Sequence, residues 1–266
     1  MINFKKLLAG TLSAAMVLGT MAIPAFADET EQKVSLTGGD FIEQRNSVSE
    51  YTNSTVTYEI NGKVEIGNSE EWTNVLKTDA NGVKDVKTVK FVGTTEDAEI
   101  NIKTGPTILA WQGHALNVEF ENLKLSNSDP KWKDDIGHAS NFFTTFLRCG
   151  DAANCSVSYK NCTFANGSCN NQYGKTVYTD CTFNSTNNYC LWLYGGDTTV
   201  NGNQNTFSGV KGVKLYSEDA TKAVNATIEN AKFNITGKPA VVSSTWGDIK
   251  LNNVDTTECE LGVLAS

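Results

Sequence analysis

A chain of 266 residues with a formal charge of −8 and only two arginines, Arg45 and Arg148, has little to offer a polyanion. That argues against nucleic acid and anionic membrane surfaces as partners. Hydrophobic residues make up 39% and glycines number 22, so any core must be assembled from short apolar segments, and the length suits one solenoid or one to two globular domains.

Residues 1–27 hold Lys5 and Lys6, an apolar stretch from Leu7 to Ile23, and Ala25-Phe26-Ala27. A basic start, an apolar middle and a small-x-small end mark a secretory signal peptide cut after Ala27. A retained membrane anchor is the weaker reading, because the stretch is short and broken by Gly, Ser and Thr. The product is expected to be secreted and extracellular, with no membrane insertion after cleavage. Residues 28–53 are rich in Glu, Ser, Thr and Asn and read as a polar leader. Thr55–Ile60 and Lys63–Ile66 alternate as strands around Asn61-Gly62, a strong turn signal. Ser69 to Thr78 is the one helical stretch: Asn68 or Ser69 can cap it, Glu70 and Glu71 suit its positive end, and Trp72, Val75 and Leu76 share a face. It is expected to plug the first coil of a stacked repeat.

From Val86 to the end the chain repeats itself. Val118-Glu119-Phe120-Glu121-Asn122-Leu123-Lys124-Leu125 returns as Val157–Phe164, Val177–Phe183, a blurred Val200–Phe207, Ala226–Phe233 and Ile249–Val254. Each copy is two short alternating strands about a bend, with Asn or Asp at the bend because these residues tolerate the left-handed conformation. The closing Phe recurs 19 residues after Phe164, at Phe183, then 24 on at Phe207 and 26 on at Phe233. Repeats this short cannot each bury their own apolar face and must stack. A second phrase precedes each copy, clearest in Leu191-Trp192-Leu193-Tyr194-Gly195 and Val213-Lys214-Leu215-Tyr216-Ser217. Each coil therefore carries three strands. The expected fold is all-β, a right-handed parallel β-helix over residues 54–266 with a short N-terminal capping helix.

On this repeat and its asparagine bend, residues 54–260 resemble the secreted bacterial right-handed β-helix repeat proteins of the broad pectate-lyase-like group. The resemblance implies architecture. Enzymes of that group carry clustered Asp ligands with a basic residue, or paired Asp with Gly-His-Gly. Asp134-Asp135 and Gly137-His138 match only fragments of the second set, so no catalytic residue is carried over.

Several groups of residues bear on function. The run Ser126 to Ser140, containing Trp132, breaks the repeat, and insertions in a solenoid become loops, often on the binding face. The bland reading is a tolerated surface excursion. Seven cysteines leave an odd one over. Cys162 and Cys181 occupy equivalent places and should stack inside, as thiols or as a disulfide, with thiols favoured. Neither His has a nucleophile motif around it, and no CxxC or HxxxH spacing suggests zinc. If Leu191 and Leu193 point inward, Trp192 and Tyr194 point out. Aligned coils then put Tyr173, Tyr194, Tyr216 and Trp246 in one outward row. Exposed aromatic rows bind the apolar face of sugars; the alternative is that they merely shield the coil edge.

A second row, Asp197, Glu218 and Asp248, follows the Gly or Ser. Asp here is ordinarily turn chemistry. Paired carboxylates could also serve a glycosidase or recruit Ca²⁺. No cofactor is otherwise expected. The favoured reading is a non-catalytic exported module binding an extracellular polysaccharide or a cell-surface partner through Tyr173, Trp192, Tyr194, Tyr216, Trp246, Asp197, Glu218, Asp248 and Trp132. The alternative is a polysaccharide lyase or glycoside hydrolase.

Overall fold

The computed structural model describes residues 31–67, 73–103, 109–110, 116–128, 143–144, 155–170, 174–217 and 223–265. The signal segment, the Trp132 loop, Tyr173 and Glu218 lie outside the described residues.

The repeated phrase builds a parallel β-helix with three strand columns. The first column runs through the front halves of β1 (Gln32–Asp40) and β2 (Thr55–Ile66), then β4 (Thr88–Gly93), β7 (Asn117–Glu121), β10 (Ser156–Lys160), β13 (Lys175–Thr179) and β15 (Asp197–Asn201), and ends in the front halves of β17 (Asn225–Asn234) and β19 (Ile249–Asp255). The second holds the back half of β2, β5 (Glu99–Ile102), β8 (Lys124–Asn127), β11 (Thr163–Phe164), the starts of β14 (Thr182–Leu193) and β16 (Asn205–Leu215), and the back half of β17. The third holds β9 (Phe143–Thr144), β12 (Ser168–Cys169), the ends of β14 and β16, β18 (Val241–Ser243) and β20 (Val263–Ala265). A separate parallel pair joins β3 (Thr73–Asn74) to β6 (Leu109–Ala110). Each strand pairs parallel with its counterpart one coil away.

Because register is kept from coil to coil, like residues stack on like. Tyr58, Phe91, Phe120, Tyr159 and Tyr178 form one inner ladder with centroids 5.1, 5.0, 4.9 and 4.9 Å apart. Phe164, Phe183, Phe207 and Phe233 form a second at 5.0, 4.6 and 4.4 Å. All nine are buried. The ladder spacing matches the strand separation of ~4.8 Å, so ring stacking and backbone pairing reinforce each other.

The bend is a column of left-handed residues: Asn122, Asn161, Asp180, Asn230 and Asn253 have φ of 57°, 51°, 53°, 50° and 51°. Their side chains bond along the stack. Asn161 Nδ2 donates to Asn122 Oδ1 at 3.2 Å, and Asn253 Nδ2 to Asn230 Oδ1 at 2.7 Å. Asp180 Oδ1 accepts the N–H groups of Asn203 and Gln204, which closes the longer bend of the blurred repeat. In that coil Asn205 takes the inward place that Cys181 and Ala231 hold next door. Its Oδ1 accepts the Cys181 N–H at 2.9 Å, and its Nδ2 donates to the Asn201 and Glu229 carbonyls at 2.7 and 3.3 Å. Cys162 and Cys181 stack as free buried thiols, each Sγ donating weakly to backbone carbonyls. Cys155 is disulfide-bonded.

Three expectations at the N-terminal end change. Residues 32–40, read as leader, form β1 in parallel register with β2. Val34 and Leu36 face the core there, and the polar residues that suggested a leader are the outward half of a strand. The helix falls not at Ser69–Thr78 but at α1 (Phe41–Asn46), where Asp40 caps the Glu43 N–H and buried Phe41 packs on Tyr58 and Phe91. Residues 68–72 lie outside the described set. Thr73–Asn74 is a strand, and Val75 and Leu76 are core residues; the Val75 carbonyl accepts from Tyr58 Oη, and the following Lys77 N–H donates to Tyr51 Oη. Three apolar residues at helical spacing were too few to outweigh parallel pairing. Asn61-Gly62 bends β2 without reversing it, and Gly62, at φ 75°, donates its N–H to Thr95 Oγ1.

Candidate functional site

The third column turns into the first through Tyr194-Gly195-Gly196-Asp197. Buried Asn170 holds this corner: its Oδ1 accepts the Tyr194 N–H at 2.9 Å, and its Nδ2 donates to Gly195 O and Thr198 Oγ1. On one side of the corner lies an aromatic cluster, on the other the acidic row.

Leu191 and Leu193 are fully buried in the main core, so Trp192 faces outward, in register with Cys169 on one side and Lys214 on the other. It is nonetheless only 8% exposed. Trp192 stacks on Tyr194 at 5.7 Å and meets Tyr189 and Tyr216 edge-on at 5.4 and 6.0 Å; Tyr194 and Tyr216 meet edge-on at 5.7 Å. With Cys169 these rings form a satellite cluster separate from the main core. Tyr189, Tyr194 and Tyr216 remain half-buried, each with surface open to solvent.

Tyr189 was missed by strict alternation, which would place it inward with Leu191 and Leu193. The β14–β16 register shifts between Ser185 and Tyr189, and Cys190 joins Leu191 in the main core. With Cys190 and Leu191 both buried in the core, alternation fails between them and Tyr189 faces outward. Lys211 Nζ lies 5.1 Å over the Tyr189 ring, a cation–π contact. Burial raises the Tyr189 pKa, and it lowers that of Lys214, with Lys211 nearby adding to the effect.

Trp246 does not join the cluster. The Ser244 N–H bonds Leu215 O and the Tyr216 N–H bonds Leu193 O, so Ser244 stands over Tyr216 and Trp246 lies two residues further along. It is 73% exposed, and its carbonyl accepts the Val224 N–H. Both Tyr216-Ser217 and Trp246-Gly247 looked like the same landmark, but Leu215 pairs with Ser243, so Trp246 falls within the turn that leads to β19.

The acidic row is a polar ladder. Lys175, Asp197 and Asn225 are in register. Asn225 Nδ2 donates to Asp197 Oδ1 at 3.0 Å, and Asn225 Oδ1 accepts the Asp248 N–H at 3.1 Å. Asp197 and Asp248 thus stand two coils apart with Asn225 between, bordering a shallow depression of about 270 Å³ with Thr199, Thr227 and Lys250. Among the described residues no group of three or more His, Cys, Asp or Glu side chains is placed to hold a metal ion.

Comparison with protein-family models, with curated proteins and with solved structures found no match for this chain.

Proposed function

We propose that this chain is an exported, non-catalytic β-helix that binds an extracellular saccharide at the corner formed by Tyr189, Trp192, Tyr194 and Tyr216. One observation carries the reading. Four aromatic rings gather on the outer side of a strand column, where alternation ordinarily places polar side chains, and three of them keep part of their surface in water. Aromatic surface left open to solvent is costly unless it is used. Its apolar faces suit the C–H face of a pyranose, while Asp197, Asn225 and Asp248 beyond the corner supply acceptors and donors for hydroxyls. The signal-like start and the resemblance to secreted β-helix proteins support an extracellular setting. The test is a glycan-array screen of the chain from Asp28 onward, followed by incubation of each hit with the protein. Binding without cleavage supports the proposal. Cleavage would make the protein an enzyme, and the absence of any saccharide hit would remove the function.

A further inference from the structure

Two consecutive coils break alternation in the same way. Cys190 and Leu191 are buried side by side in β14, and Gly212 and Val213 are buried side by side in β16. Lys211 and Lys214 therefore face outward together, in register with Tyr189 and Trp192. Lys211 Nζ rests over the Tyr189 ring, so Tyr189 holds an ammonium group and Tyr194 and Tyr216 are left for a sugar. Lys214 stands in a row between Trp192 and Val242.

The other outward lysines set the contrast. Lys90 lies 4.0 Å from Glu119, Lys124 lies 2.9 Å from Glu99, and Lys160 lies 2.8 Å from Glu121, each pair joining neighbouring coils. Among the described residues no carboxylate pairs with Lys211 or Lys214. In a chain of net charge −8 they form a local reversal of sign. Both are half-buried. Burial disfavours an ammonium ion, and a like charge nearby disfavours it further; both effects lower the pKa of Lys214. An anion brought to this pair offsets both costs.

We propose, resting on the reading that this corner binds a saccharide, that the saccharide is acidic. A pyranose packs its C–H face on Tyr194 or Tyr216, and a sulfate ester or carboxylate on that sugar or the next meets Lys211 and Lys214. Hydrogen bonds from ammonium to an anion are about twice as strong as neutral ones. Here they form beside ring surface that excludes water, where charge attraction is less screened. Asp197 and Asp248 lie on the far side of the corner. They repel the anionic group, so the ligand is held in one orientation, with its charge toward the lysines.

The experiment titrates the chain from Asp28 onward with dextran, cello- and xylo-oligosaccharides, each in neutral, sulfated and carboxymethylated form. On at least one backbone an acidic form should bind about tenfold or more tightly than its neutral parent, and the form preferred tells sulfate from carboxylate. Lys211→Gln and Lys214→Gln should each weaken the acidic form about tenfold and leave the neutral parent's affinity and the circular dichroism spectrum unchanged. Lys160→Gln removes the same charge from the first column and should change neither affinity. Neutral and acidic forms bound equally would overturn this inference and leave the corner a site for neutral sugars. An acidic preference that survives both lysine changes, or that Lys160→Gln weakens as much, would overturn it too. Binding of no form on any backbone would overturn the saccharide reading itself, and this inference with it.

Discussion

Phe183→Ala removes a ring that is fully buried and stacked on both faces, by Phe164 at 5.0 Å and Phe207 at 4.6 Å, with Tyr178 edge-on at 5.2 Å. Phe→Ala in a core costs about 3–5 kcal/mol, depending on how far the site collapses. Here collapse is opposed, because the backbone of β14 pairs with β11 and with β16 and holds the neighbouring rings one coil away on each side. The cost should therefore fall near the top of that range, about 4–5 kcal/mol. That is a large share of a typical total stability of about 5–15 kcal/mol. With about 2–4 °C lost per kcal/mol in a domain of this size, the melting temperature should drop by about 8–20 °C. Urea titration and thermal melts followed by far-ultraviolet circular dichroism measure both quantities. A loss under about 1 kcal/mol would mean that the ring is not held between two others, and the stacked-coil description would fail with it.

Asn161→Ala places a side chain with no bend chemistry at φ 51° and removes the bond to Asn122. It should cost about 1–2 kcal/mol, and Asn161→Gly should cost less, as read by the same melts. Gly209 has φ 148°, and a Cβ there would meet Ser185 O at 2.1 Å. Gly209→Ala should therefore destabilise the protein although it adds one methyl, and the drop in urea midpoint reports it. Burial pushes the Cys181 and Cys190 thiols up to about 12 from an ordinary value of 9.0. A raised thiol pKa favours the unfolded state once the unfolded thiol can ionise and the buried one cannot. No penalty exists below about pH 9, where the thiol is protonated in both states, and stability falls as pH climbs from there toward 12. The melting temperature should fall over that window, and less steeply in Cys190→Ala. At pH 8 a thiol reagent should leave Cys162, Cys181 and Cys190 unmodified until denaturant is added.

The strand columns and the bend were legible because two rules act on every coil. Alternation sends Val157 and Tyr159 to the same side, and only Asn, Asp or Gly sits easily at a left-handed corner. The parts that escaped depend on lengths that no local pattern encodes. Trp246-Gly247 resembles Tyr216-Ser217, but Leu215 pairs with Ser243, so Ser244 takes the place over Tyr216 and Trp246 falls within the turn before β19. Tyr189 faces outward because Cys190 and Leu191 are buried side by side, which breaks the alternation. β1 was hidden because its outward residues, Lys33, Ser35 and Thr37, are polar and its inward apolar residues, Val34 and Leu36, number only two. Lys211 and Lys214, beside the rings, carried no signal in sequence; their neighbours are set by the stacking of coils far apart along the chain.

Isothermal titration of the best array hit into the unmodified chain and into Tyr194→Ala and Tyr216→Ala tests the proposed site most directly. Each change should weaken binding by about 1–3 kcal/mol, the range of aromatic anchors, and leave the melting temperature close to that of the unmodified protein. Unchanged affinity together with a lowered melting temperature would mean that these rings only shield the corner, and would contradict the proposed binding site.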